Sequence, residues 1–281
     1  MIAELPLLVQ LTDYATRKEI SLPVFNPVAS QLQDAANSDA YDIAAIEQVI
    51  DSDTALAAEV LRAANSAFFG GLVEVATIRA AILRLGLRQV TNLVVLATEK
   101  SRYTARQPQI HELMKVLWQH ASACALASEW LAKRLRYTQH TEVAFIGGLL
   151  HDIGKLFLLR TLDEMMSEMP RPAGYPISLV HDLLDQAHTS QGHRLLLTWN
   201  LPVVYQTIVR DHHSQTIDPA NVPLLLVRLA NHACNKVGLG LRSDSSLSLP
   251  ATAEAAALGV SEVALAEIEI ILEGLRETAA A

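Results

Sequence analysis

The residues best suited to chemistry are the histidines, and their placement is uneven: of ten, none precedes His111. The sharpest local feature is Gly147-Gly148-Leu149-Leu150-His151-Asp152-Ile153-Gly154-Lys155. There an apolar helix end delivers an imidazole nitrogen and a carboxylate oxygen to one point. Such a pair can ligate a hard or borderline divalent cation, and the carboxylate can bridge to a second. Gly154 is expected to let the backbone turn away beside the pair. His120 lies in Leu117-Trp118-Gln119-His120-Ala121-Ser122, where small residues leave room around the ring. His188 precedes Gly192 by four positions, so the two share a helix face, and the missing side chain at Gly192 admits a neighbouring element. The pair His212-His213 ends a helical stretch over 203–210, with Asp211 placed to fix an imidazole tautomer. Plainer accounts stand beside these. Asp152 could serve backbone amides, isolated helix histidines are ordinarily core residues, and paired ones at a helix end stabilise the negative end of the dipole. His111, His140, His181, His193 and His232 take the plain reading.

Helices must position these residues, and helical period runs through the chain. Apolar spacing predicts helices over 24–36 and 43–50. Asp53 caps another that runs to about Asn65, where a left-handed conformation is expected, and Gly70-Gly71 closes the unit. Gly86 pivots between helices at 78–85 and 87–98, completing an N-terminal bundle of five pieces. Beyond the polar stretch 101–108 come helices at about 111–135, 139–150, 178–199, 202–213 and 223–237, with Pro202 suited to a first turn. A polar linker, 243–250, leads to an acidic helix over 262–275 with Ser261 as its cap. The expected divisions are 1–104, 105–242 and 243–281.

Composition agrees with this all-α reading. The 281 residues carry 22 Lys+Arg against 30 Asp+Glu, a net charge of −8, which argues against a generic nucleic-acid binder relying on clustered cations. With only 12 Gly and 11 Pro, turn formers are too few for a sandwich or barrel of many short strands. The two cysteines, Cys124 and Cys234, stand far apart in helical contexts and read as buried free thiols rather than a metal or redox pair. The sequence has no apolar run long enough to span a bilayer and no leader-like start, so no membrane partner and a cytoplasmic location are expected.

Further motifs accompany the histidines in order. Leu22-Pro23, Asn26-Pro27, Ile50-Asp51-Ser52-Asp53, Leu61-Arg62-Ala63-Ala64-Asn65-Ser66-Ala67 and Ala80-Ala81-Ile82-Leu83-Arg84-Leu85-Gly86 precede them, and Trp199-Asn200-Leu201-Pro202 falls between His188 and the His212-His213 pair. This series resembles the HD superfamily of metal-dependent phosphohydrolases, and within it the HDOD branch. The resemblance implies an all-α fold and makes His120, His151 and Asp152 direct ligands of a divalent metal. It matches His188, His212 and His213 to additional ligands of the related HD-GYP phosphodiesterases, and Lys155 to a lysine placed to meet a phosphate. One or two ions of Fe, Mn, Ni, Zn or Mg are implied, with Asp152 and Lys155 as the catalytic residues of any hydrolysis.

Departures matter equally. Asn231 stands where the superfamily has a last aspartate, and Ser214-Gln215-Thr216-Ile217-Asp218-Pro219 replaces the HD-GYP signature. Gly174-Tyr175-Pro176 occurs before His188 rather than after His212 and reads as a turn. The expected function is a signalling or regulatory module with an HD-type metal site, acting mainly through contacts with a signalling protein. The alternative is a metal-dependent phosphohydrolase acting on a nucleotide or phosphoester.

Overall fold

The computed structural model describes residues 6–18, 20, 22, 43–69, 74–168 and 174–280. The helix expected over 24–36, the Pro23 and Asn26-Pro27 motifs and Gly70-Gly71 lie outside the described residues. The chain is all-α, with no strand among the described residues. It divides into two compact units. One comprises residues 1–22 and 103–273, the other 23–102 and 274–281.

In the smaller unit, α2 (Ile43–Asp51) and α3 (Thr54–Ala64) are followed by α4 (Ile78–Leu85) and α5 (Leu87–Lys100). Asp53 caps α3 as expected: its carboxylate accepts from the amides of Ala55 and Leu56 at 3.0 and 3.1 Å. Asp53→Ala is expected to cost about 1 kcal/mol, read as a lower midpoint in urea with an unchanged slope. Gly86 turns α4 into α5 at φ +84°, a conformation that penalises a Cβ. The left-handed conformation expected at Asn65 is not found: its φ is −92°. Its side-chain amide instead pairs with the backbone of Val75, donating to the carbonyl and accepting from the N–H, both at 2.9 Å.

The larger unit begins with α1 (Leu7–Arg17), which sequence reading did not separate. Leu7, Leu11 and Tyr14 form its buried stripe. Residues 1–22, assigned from sequence to the N-terminal lobe, belong here because that stripe packs on α8 (Ile153–Glu168). Lys18 also donates to Glu168 at 2.9 Å, and the Trp199 indole N–H to the Leu22 carbonyl at 2.9 Å. Helix α8 was itself missed. Leu156, Leu158, Leu159, Leu162, Met165 and Met166 are buried around much of its circumference, so it shows no single apolar stripe.

The remaining helices are α6 (Pro108–Arg134), α7 (Thr141–Leu150), α9 (Ile177–Thr198), α10 (Val203–Asp211), α11 (Val222–Lys236), α12 (Ala253–Leu258) and α13 (Glu262–Ala280). Pro202 lies one residue before α10 rather than in its first turn, and Ser261 accepts from Ala264 N–H at 3.3 Å to cap α13. Two glycine contacts set the spacing around the histidines. At Gly148 a Cβ would lie 2.6 Å from the Cys124 carbonyl oxygen, so α6 and α7 touch backbone to backbone. At Gly154 a Cβ would lie 1.9 Å from the His188 carbonyl oxygen, and one at Gly192 would lie 3.1 Å from Gly154 N. The close approach expected at Gly192 is present. Gly154, however, sits inside α8 and permits helix contact; it does not turn the chain away.

Candidate metal centre

His151 ends α7 and Asp152 precedes α8, so the adjacent pair occupies a corner between two helices. His120 comes from α6, His188 from α9, and His212-His213 follow α10. The corner brings all six together.

The ring orientations follow from backbone carbonyls, which only accept. His120 Nδ1 faces Leu239 O at 2.6 Å, His151 Nδ1 faces Gly148 O at 2.7 Å, and His188 Nδ1 faces Leu184 O at 2.7 Å. His212 Nδ1 faces Val209 O at 3.0 Å. Each Nδ1 therefore carries the proton, and each Nε2 presents a bare lone pair to the centre. Asp211, expected to fix a tautomer, instead pairs with Arg210 at 2.6 Å.

The bare nitrogens meet in pairs, one pair on each oxygen of Asp152. His120 Nε2 and His151 Nε2 are 3.2 Å apart and lie 3.5 and 3.4 Å from Oδ2. His188 Nε2 and His212 Nε2 are 3.2 Å apart and lie 3.4 and 3.5 Å from Oδ1. Donors bound tetrahedrally at ~2.0–2.1 Å stand about 3.4 Å apart, so each triangle has the edges of a coordination polyhedron. Two lone pairs at this distance repel unless a cation sits between them. A proton is a poor candidate at neutral pH, because burial pushes His120 down to about 4 and lowers His188 and His212 as well. Asp152 Oδ1 is buried and accepts no hydrogen bond, an orphan that a metal would satisfy. The donor set thus fits two divalent cations sharing one carboxylate, with His213 beside the second triangle. Burial works to raise the Asp152 carboxyl, but the Lys155 ammonium beside it is foremost among the groups that outweigh burial and hold it well below the usual carboxylate range.

In the metal-free protein these lowered histidines destabilise the fold as acid is added. The unfolded chain takes up protons below about pH 6.5 that His120 refuses until about 4, so stability falls across that window. Each histidine kept neutral contributes a slope of about 1.4 kcal/mol per pH unit. Thermal melts of chelator-treated protein should be flat above pH 6.5 and drop steadily from 6.5 to 4; a flat profile down to 4.5 would contradict the assignment.

Lys155 donates to Asp152 Oδ2 at 2.7 Å. Asn231 is buried and accepts from Asn235 Nδ2 at 2.9 Å. Sequence reading missed three groups beside the centre. Arg228 donates to the carbonyls of Ser214 and Asp211 at 2.6 and 3.3 Å, clamping the turn that carries His212 and His213, and is itself held by Glu254 at 2.6 Å. No local pattern announces that role. Cys124 and Cys234 converge on His120, and the spacing of four between His120 and Cys124 on α6 is the one available sign. His111, His140, His181, His193 and His232 take no part in the donor groups.

An all-helical unit built around an adjacent His-Asp pair that faces His120, His188, His212 and His213 is the HD-type class of fold. The family model for the HDOD domain matches residues 22–215, and the chain belongs to the HDOD family. Among solved structures, it resembles an HDOD domain protein of unknown function from Geobacter sulfurreducens (18% identity, 96% of both chains, TM-score 0.71). It also resembles a protein from Shewanella amazonensis SB2B provisionally named a metal-dependent phosphohydrolase (19% identity, 96% of this chain and 97% of that one, TM-score 0.67). A third, from Marinobacter aquaeolei VT8 and provisionally named a signal transduction protein, is 20% identical over 99% of this chain and 61% of that one (TM-score 0.59). At these identities the likeness is one of fold, and one fold carries both kinds of name. The chain spans about two fifths of the length of a curated relative, an uncharacterized protein of Treponema pallidum (strain Nichols), 26% identical over 212 residues that make up 71% of this chain and 39% of the relative. No helix among the described residues is long and apolar enough to cross a membrane.

Proposed function

We propose that the chain is a signalling module whose HD-type centre binds divalent metal for structural or sensory ends, with output through protein contacts. The closure of the centre carries this reading. His120, His151, Asp152, His188 and His212 are 3%, 0%, 3%, 2% and 3% exposed, so a substrate has little access to ions held among them; of the six ligands only His213 is exposed. Neutral Asn231 supports it further, since a hydrolytic centre gains from every anionic ligand. On this reading the first ion is held by His120, His151 and Asp152, the second by Asp152, His188, His212 and His213.

A specific observation favours the hydrolase alternative. Lys155 lies against Asp152 with its side chain 13% exposed, and His213 is exposed, so this edge is where a phosphate oxygen would approach. There Lys155 would offset phosphate charge while a bound divalent cation supplied an acidified water. The test is a panel of phosphodiesters and nucleotides offered to metal-loaded full chain. The module reading expects no turnover above that of Asp152→Ala. Turnover that disappears in His151→Ala and Asp152→Ala would overturn it in favour of the hydrolase.

A further inference from the structure

Two donors beside the centre are not accounted for by it. Cys124 lies one helical turn after His120 on α6, and Cys234 comes from α11; both are fully buried and free. Their sulfurs and a nitrogen of His120 all lie within 4.8 Å of one another. Cys124 Sγ is 3.7 Å from His120 Nε2. An ion with ~2.3 Å bonds to sulfur and ~2.0 Å bonds to nitrogen holds such donors about 3.6 Å apart, so this edge also has the length of a coordination polyhedron. The donor chemistry differs from that of the neighbouring triangle. Two thiolates and an imidazole select thiophilic ions such as Zn²⁺, Cd²⁺ or Cu⁺, whereas a triangle containing a carboxylate suits harder ones.

The two groups share one atom. Nε2 of His120 is also the nitrogen that stands 3.2 Å from His151 Nε2, while Nδ1 is committed to the Leu239 carbonyl. One lone pair serves one ion. We propose that Cys124, Cys234 and His120 form a separate site for a thiophilic cation, and that filling it withdraws His120 from the His120–His151–Asp152 triangle. The second clause rests on the metal-centre reading above; the first does not. Binding one divalent ion here deprotonates both thiols, so two protons leave for each ion bound.

The experiment uses the full chain, stripped of metal and kept reduced with a phosphine. Titration with Cd²⁺ is expected to raise an ultraviolet thiolate-to-metal charge-transfer band that saturates at one ion per chain. X-ray absorption at the cadmium edge should count two sulfurs, a readout that needs no variant. His151→Ala should keep the band, and Cys124→Ala/Cys234→Ala, checked for fold by circular dichroism, should lose it. His120→Ala should weaken Cd²⁺ binding by at least about tenfold. Absence of the band in folded wild type, or a cadmium shell without sulfur, overturns the site. For the coupling, protein is loaded with Mn²⁺ and the free-ion signal followed by electron paramagnetic resonance as Cd²⁺ is added. Release of Mn²⁺ from wild type but not from the double cysteine variant is expected; a charge-transfer band without release overturns the exclusion. Protein that takes up no Mn²⁺ but shows the band would overturn the metal-centre reading and the exclusion together, leaving the thiol site standing.

Discussion

On the two-ion reading, Asp152→Asn is expected to empty both metal positions together, whereas His120→Ala and His188→Ala are each expected to empty one. The carboxylate presents Oδ2 to His120 and His151 and Oδ1 to His188 and His212, so its charge serves two triangles that otherwise share no atom. Asparagine keeps the volume but carries one weak donor oxygen and an N–H₂ that points a positive end at a nitrogen lone pair or an incoming cation. Affinity at both positions should fall by at least about 100-fold, more than the ~10–100-fold usual for losing an outer partner of a ligand. Elemental analysis of protein purified without chelator, with calorimetric titration of stripped protein, provides the check. Wild-type metal content in Asp152→Asn would remove the bridging role, and loss of both ions in His120→Ala would show that the triangles do not fill independently.

Gly154→Ala should have the largest effect on folding. Its Cβ would fall 1.9 Å from the His188 carbonyl oxygen and 2.7 Å from Gly192 N, both backbone atoms in the middle of α9. A flexible side chain could swing aside; two helix backbones must separate. Overpacking ordinarily costs ~1–3 kcal/mol, and a clash with backbone on both partners belongs above that range, at more than about 3 kcal/mol. The displacement also draws His188 away from His212. The variant is therefore expected to unfold at lower urea and, where it remains folded, to lose the second ion while keeping the first. Gly192→Ala gives a graded control, because its nearest contact, at 2.7 Å, is the movable Val209 side chain. Near wild-type stability for Gly154→Ala would show that α8 and α9 are not held at this distance.

The order of histidines along the chain was readable because each sits in a recognisable local pattern: His151 with Asp152 at a helix end, His212 with His213, His188 with Gly192. Capping at Asp53 and Ser261 was readable for the same local reason. What escaped depended on partners remote in sequence. Helix α8 is apolar on several faces because it packs against both α1 and α9, so the stripe that reveals a surface helix is missing. The reason for Gly154 lies in the carbonyl of His188, and the tautomer of His120 is set by Leu239, 119 positions away. Cys124 and Cys234 read as unrelated thiols because nothing in their spacing shows that α6 and α11 pack together. Nothing local marks Arg228, since the carbonyls it clamps acquire meaning only once the turn after α10 is built.

The pairing of the histidines has a mechanical side. An ion between His120 and His151 ties residues 31 positions apart, and one between His188 and His212 ties residues 24 positions apart. Each would act as a crosslink, and closing loops of that length removes about 3–4 kcal/mol of chain entropy from the unfolded state on the simplest model. Asp152 fastens the two loops to each other. Metal occupancy would then be legible far from the ions, as the ease with which α6 to α10 can come undone, and a partner that reads firmness rather than shape would need no access to the buried centre.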